Sequence, residues 1–393
     1  MAKDNEATQI HAIVLTSNRP ESLSRCVATA INSLGARDLL TILDDSPRQT
    51  SVVNSEIIGN AAKDADSSIC HLRTSELWSA ITANSGQDCE WLSKTAHRDI
   101  APLRNIELLL SKVVAGRTTI LIDDDIHSFD LNSTHQFMEI NDTGPNGVIA
   151  GATICGMSEL DTLTRLSDAL TVLEANPAVT AESVVFRALR TDDTAAVRYV
   201  SAGYMAFRFT DSVTFAFPPG YNEDWLWCLL HKNTAEVLRE DQRVMHDPPS
   251  IRCSTRDDLC FELSGDLIFD CLSEYDGEDS ALMETLLSTI QNHTPLTSLM
   301  PTTRVHELLE QYDQLATRER VSGFWVIERN GLSVARDMIR SGELELDGRE
   351  LLRAWCQDTL AKQRSFASTM NNPNVISSIR QFVHTGVLKW NLA

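Results

Sequence analysis

The sequence predicts an α/β protein whose sheet is mostly parallel and flanked by helices, followed by a C-terminal α-helical region. Three observations carry this. The chain opens on a strand-helix-strand unit. Short apolar, β-prone runs alternate with helical stretches as far as residue 246. Beyond residue 255 clear strand patterns become scarce and long helical periodicities take over. A chain of 393 residues is too long for one ordinary core. The change of texture places a boundary near residues 251–255, giving units 1–250 and 251–393.

Residues 10–16 (IHAIVLT) form an apolar run that Ser17-Asn18-Arg19-Pro20 breaks. Proline suits the first turn of a helix, and residues 21–34 carry helical spacing up to Gly35. Residues 39–43 are the next strand, closed by Asp44-Asp45-Ser46-Pro47, which makes a unit of parallel-sheet type. A helix over 51–63 and a short strand near Cys70 follow; residues 74–99 read as helix and loop. Residues 102–115 are helical. Residues 118–122 are an apolar strand with Asp123-Asp124-Asp125 directly after it. Further strands are expected over 148–154, 198–209 and 235–245, and helices over 159–175, 224–232, 279–291, 303–329 and 348–366. There is no fixed-period repeat and no low-complexity tract.

The net charge is -21, from 34 basic and 55 acidic side chains. Such a chain repels phosphate backbones at long range, which argues against a broad nucleic-acid surface and leaves room for a local basic pocket. Solubility is the plain reading of the acidity. Apolar residues make up 42% and charged residues 23%, ordinary for a globular protein. Residues 1–9 lack the basic and apolar pattern of a secretory signal, and no run of ~20 apolar residues predicts a membrane span. The nine cysteines show no C-x-x-C pair and no zinc-like spacing. They read as reduced thiols, which points to a cytoplasmic protein.

Ligands of open α/β sheets bind at the carboxyl ends of parallel strands. Three such ends carry polar groups: Thr16-Ser17-Asn18-Arg19, Asp44-Asp45, and Asp123-Asp124-Asp125. Three adjacent carboxylates repel one another unless a positive group sits among them. Mn2+ or Mg2+ takes one or two carboxylates plus substrate phosphate oxygens, so the triplet reads as a metal site or as a helix cap or turn. Asn222-Glu223-Asp224 precedes Trp225 and Trp227; its acids are either site residues or partners of a helix dipole. The two tryptophans stack on a sugar ring or pack in the core. His246, at the end of a strand, is a metal ligand or a structural histidine. There is no P-loop, no G-x-G-x-x-G after a strand, no H-E-x-x-H and no G-x-S-x-G.

Taken in order, these pieces resemble family-2 glycosyltransferases of the GT-A fold. The stretches IVLTSNRPESLSRC (13–26), LTILDDSP (40–47), PLRNIELLLSKVVAGRTTILIDDD (102–125), SAGYMAFR (201–208) and YNEDWLWCLLHK (221–232) are similar to successive elements of that family. The triplet answers to its D-x-D motif. The strand ending at His246 answers to the one that delivers a late histidine. The resemblance covers roughly residues 10–250. Residues 50–99 depart from it, and the helical tail lies outside the common core.

The resemblance implies a transferase that moves a sugar from a nucleotide-diphosphate donor, such as a UDP- or GDP-sugar, to an acceptor, with inversion. It implies that Thr16, Asp44 and Asp45 hold the base, with Asn18 and Arg19 in the donor site. Arg104 would face the base or a phosphate, and Asp123 would lie by the ribose with Asp124 beside it. Asp125 would bind Mn2+ or Mg2+, with His246 completing that site. Asp224 would be the general base and Glu223 would orient the acceptor, which would also meet Tyr204, Trp225 and Trp227. The tail would cap the acceptor or make a homodimer contact. Two other readings stand beside it. A nucleotidyltransferase of related fold would show a glycine-rich basic loop after the first strand, which SNRPE lacks. A non-catalytic binding protein on a transferase fold would not need the acids at 123, 125 and 224.

Overall fold

The computed structural model describes residues 9–86, 89–94, 99–114, 118–144, 146–156, 200–210, 213, 215–231, 234–246 and 348–389, with isolated residues at 261–269 and 341. The expected helices over 159–175, 279–291 and 303–329, and the boundary near 251–255, lie outside the described residues.

Strand β1 (Ile10–Thr16), helix α1 (Pro20–Ser33), β2 (Leu39–Asp44), α2 (Arg48–Asp64), β3 (Ser68–Arg73) and α3 (Thr74–Ser85) come first. A 3-10 turn (Glu90–Leu92) leads to α4 (Ala101–Val113), β4 (Thr118–Asp123), β5 (Ile126–His127), α5 (Leu131–Asn141) and β6 (Gly147–Gly156). Then come β7 (Tyr204–Phe207), α6 (Glu223–Leu230) and β8 (Ala235–His246). The tail adds α7 (Gly348–Met370), α8 (Pro373–Gly386) and β9 (Val387–Lys389). The nine strands among the described residues join one sheet in the order β5-β8-β6-β7-β4-β1-β2-β3-β9. Following the pairings, β1, β2, β3, β4, β6 and β8 run one way, while β5, β7 and β9 run against them. The sheet is therefore mixed and mostly parallel, as the sequence predicts.

Successive side chains of a strand point to opposite faces, and a parallel sheet buries both. Strand β1 shows the consequence. Ile10, Ala12 and Val14 pack with Leu23, Cys26 and Val27 of α1 and Ile58 of α2. Ile13 and Leu15 pack on the other face with Leu77 of α3, Ile106 of α4, Trp227 of α6 and Phe366 of α7. Pro20 and Pro102 sit in the first turns of α1 and α4. Asp130 and Asn372 cap α5 and α8 through their side chains.

Two differences from the sequence reading matter. Of the strand expected over 198–209, the described residues 200–209 form only Tyr204–Phe207, because the chain turns at Ser201 to Gly203, where Tyr204 N–H donates to Ser201 O at 3.1 Å. The tail is not purely helical: β9 pairs antiparallel with β3 at the sheet edge. It covers a row of unpaired backbone groups that would otherwise invite another chain. Met370, Val375, Ile379 and Val383 of the tail also enter the main core.

Candidate active site

The carboxyl ends of β2, β1 and β4 lie side by side, because β1 pairs with both neighbours in parallel register. Successive strands then diverge to either side of the β1–β4 junction, the place where such sheets open a crevice. The loop after β1 is drawn tight there. Asn18 adopts φ 58°, a left-handed conformation that Asn tolerates. Its N–H donates to Ser46 Oγ at 2.8 Å, and Thr50 Oγ1 donates to its side-chain oxygen at 2.7 Å. A groove of about 900 Å³ opens beside it, lined by Arg19, Ser22, Arg25 and Val53 among others.

Positive groups offset the mutual repulsion of the three adjacent acids. Asp123 Oδ1 accepts from Arg104 NH2 at 2.8 Å. Asp124 accepts from Thr16 Oγ1 at 2.6 Å and pairs with Arg19 NH2 at 2.6 Å. Asp125 pairs with Arg19 NH1 and lies 3.5 Å from His246 Nε2. Arg19 thus bridges two carboxylates while its side chain stays 32% exposed. Burial works against its charge, but Asp124, Asp125 and Asp123 raise its pKa. Burial pushes Asp124 up to about 7. Burial pushes Asp125 up too, yet His246 and Arg19 outweigh it and hold Asp125 below the usual range.

His246 reaches Asp125 because β8 ends between two strands, pairing with Ile126 of β5 and Gly156 of β6. Asp125 Oδ1 is buried and, beyond its ion-pair contact with His246, accepts no hydrogen bond among the described residues. A buried acceptor beside an imidazole nitrogen fits a divalent cation. Among the described residues no three or more His, Cys, Asp or Glu side chains group as a metal cage.

Helix α6 brings the second pair of acids. Asn222 precedes it at φ 60° and turns the chain sharply into Glu223. Asp224 Oδ2 accepts the Ala202 N–H at 2.8 Å, and its Oδ1 accepts the Trp225 N–H at 2.8 Å. The next residue of that same turn, Gly203, gives its carbonyl to the Asp123 N–H at 2.9 Å. One turn of backbone therefore sits between Asp123 and Asp224. Glu223 is buried; burial and the neighbouring Asp224 push its pKa well up, against the opposing pull of Arg104.

The other predicted residues are engaged within the protein. Asp44 is held by His71 Nε2 at 3.0 Å, the Ser46 N–H at 2.9 Å and Asn54 Nδ2 at 3.2 Å, all within the protein. Asp45 is half-buried, accepts from Thr74 Oγ1 at 2.5 Å and lies 4.0 Å from Lys94 Nζ. Arg104, expected against a base or phosphate, is 1% exposed and engaged by carboxylates. Trp227 stacks on Phe217 and donates to Phe215 O; Trp225 packs on Phe269. The Tyr204 hydroxyl meets Thr134 Oγ1 at 2.9 Å inside the opposite core layer. All three aromatic side chains are buried.

The sequence reading missed Glu107, buried beside Arg104. Its signal was an acid three positions after an arginine within an otherwise apolar helical run. It also missed Thr74 and Lys94, which flank Asp45 from a stretch without clear pattern.

No family model matches the chain, and no curated protein matches it. Solved structures with a similar outline include a mannosyltransferase from Pyrobaculum calidifontis in complex with GDP-Man and Mn2+. It is 10% identical, with 91% of this chain and 87% of that one covered, at a TM-score of 0.46. A glucosyl-3-phosphoglycerate synthase from Mycobacterium tuberculosis, in complex with Mn2+, UDP and phosphoglyceric acid, is 13% identical over 62% of this chain and 72% of that one, with a TM-score of 0.39. Mouse xyloside xylosyltransferase 1 is 10% identical over 51% of this chain and 67% of that one, with a TM-score of 0.31. At these identities and scores none of them lends this chain a residue role, a donor or an acceptor.

Proposed function

We propose that the chain is a GT-A-like glycosyltransferase that uses a nucleotide-diphosphate sugar, a UDP- or GDP-sugar, with Mn2+ or Mg2+. One observation carries this reading. A single backbone turn holds Asp123 by the Gly203 carbonyl and Asp224 by the Ala202 N–H. In this reading one turn holds both a donor-side acid and the proposed base near the carboxyl ends of the strands.

Asp125 and His246 would hold the cation, which supplies Lewis-acid stabilisation of the diphosphate as it leaves. Arg19 already carries positive charge between Asp124 and Asp125. It is exposed enough to turn toward a diphosphate. Thr16 keeps Asp124 in place, and Asp45 faces the base with Thr74 and Lys94 beside it. The acceptor hydroxyl gives its proton to Asp224 as its oxygen attacks the sugar carbon, so that bond formation at one face leads to inversion. Two backbone N–H donors fix the aim of this base. Glu223, buried beside Arg104, orients the acceptor. The leaving diphosphate needs no proton, so one base suffices. A glycoside hydrolase would place two carboxylates about the bond.

The test is a thermal-shift screen of UDP, GDP, ADP and CDP with and without Mn2+ or Mg2+. A ligand at ~100 times its dissociation constant stabilises a fold by about 2.7 kcal/mol. A metal-dependent shift with one nucleotide is expected. A folded sample that responds to none of them would remove the donor site.

A further inference from the structure

The middle of α4 carries a charge that its surroundings do not call for. Residues 103–110 read LRNIELLL and are all buried. Glu107 is 0% exposed among them. One turn earlier, Arg104 meets three carboxylates from three elements. Its NH1 donates to Glu107 Oε2 at 3.2 Å, its NH2 donates to Asp123 Oδ1 at 2.8 Å, and its Nε lies 3.8 Å from Glu223 Oε1. In the proposed transferase Asp123 belongs to the donor side and Glu223 to the acceptor side. Glu107 belongs to neither.

A buried carboxylate is costly, and replacing a buried ion pair with well-packed apolar residues is often neutral or stabilising. Glu107 offsets the buried charge of Arg104, but the pair together gives no stability that well-packed apolar residues at both positions would not also give. Geometry gives a reason for Glu107. An arginine held only by Asp123 and Glu223 would follow whichever of them shifts toward a ligand. Glu107 grips the guanidinium from its own helix, and Ser111 Oγ donates to the Glu107 carbonyl at 2.7 Å one turn on. Burial raises the Glu107 pKa to about 7, against the pull of Arg104.

We propose that Glu107 is a positioning residue that pins the Arg104 guanidinium between Asp123 and Glu223, and so keeps the donor acids and the start of α6 in one fixed relation. The inference rests on the transferase reading, and its test separates the two. The probe is slow hydrolysis of UDP-glucose or GDP-mannose with Mn2+, measured for wild type, Glu107→Leu, Arg104→Met and the double variant. A residue that acts through another shows its effect only while that other is present. Glu107→Leu is expected to lower kcat about 10-fold and raise donor KM about 3-fold, and to change either by less than about 2-fold in the Arg104→Met background. Glu107→Gln keeps an oxygen for Arg104 and is expected to restore kcat to within about 3-fold of wild type. Equal losses in both backgrounds, or a lower melting temperature with unchanged kcat and KM, would overturn the proposal. Should Glu107→Leu fail to fold, Glu107→Met, which likewise offers no oxygen to Arg104, takes its place in the cycle, and an equal effect in both backgrounds overturns the proposal in the same way. A wild-type protein that hydrolyses neither sugar nucleotide overturns the transferase reading and this inference with it.

Discussion

The Trp355 indole N–H donates to the Pro219 carbonyl at 2.7 Å, joining α7 to the loop that enters α6 from 136 positions earlier. Gly220, at φ 123°, lies directly against that indole. Leu352, Trp355 and Cys356 pack with Trp225, Leu226 and Leu229 of α6. The tail therefore sets where Glu223 and Asp224 sit. Trp355→Phe keeps the apolar contact and leaves the Pro219 carbonyl without its donor, a loss of about 1 kcal/mol. We expect a folded variant with a slightly lower melting point and reduced turnover of a sugar nucleotide. Turnover equal to wild type would separate the tail from the catalytic helix.

Asp125→Ala removes the carboxylate that His246 and Arg19 share. We expect the Mn2+-dependent part of nucleotide binding to vanish in calorimetry, with turnover lost and the fold retained. A variant that keeps metal-dependent binding would place the cation elsewhere.

Asp224→Asn retains an oxygen for the Ala202 N–H, so the turn beside Asp123 should survive. Donor binding is expected to be unchanged while turnover falls at least ~100-fold, the scale of a lost general base. Unchanged turnover would move the base to another residue.

How much of this the sequence disclosed depended on range. The first strand-helix-strand unit and the acids that end each strand were legible, because apolar periodicity and turn residues are local. Helix α4 was legible too, but not that Arg104 would be buried: an Arg-Asn pair near a helix start reads as solvent-facing until β4 and α6 close over it. Trp225 and Trp227 alternate in sequence, yet a helix turns them onto different core layers, which only packing decides. Strand β9 is three residues long and follows a helix, so no pattern could mark it; its partner β3 lies over 300 positions away.

Asp44 illustrates the same point with a measurable outcome. Burial pushes its carboxyl up, but hydrogen bonds from His71 and Ser46 hold it well below the usual range. A depressed pKa stabilises the fold above the unfolded value near 4, and that contribution is lost as pH falls through the folded value. Asp44→Ala is expected to cost about 2 to 3 kcal/mol of stability near pH 7, and its stability difference from wild type should shrink at acid pH. Denaturant titrations at pH 7 and pH 3 check this. A variant of full stability that merely binds nucleotide poorly would give Asp44 a role in donor binding instead.

Glu107 has the opposite sign. Its folded pKa of about 7 lies above the unfolded value near 4.3. The stability it contributes is fully present below that unfolded value and is lost as pH rises through 7. Glu107→Gln cannot ionise, so its melting temperature relative to wild type should climb between pH 5 and pH 8. A constant difference across that range would mean that Glu107 does not titrate there.

The Cys70 thiol reaches the Val383 carbonyl across 313 positions, beside the strand pair that closes the sheet. For a ribosome this sets a timetable. Contacts so distant in sequence form late and slowly. The nascent sheet emerges with β3 as a bare edge and waits for nearly the whole remaining chain before that edge is sealed. During synthesis the crevice acids are in place well before the helices that align them, so the protein completes its scaffold only when α7, α8 and β9 arrive together.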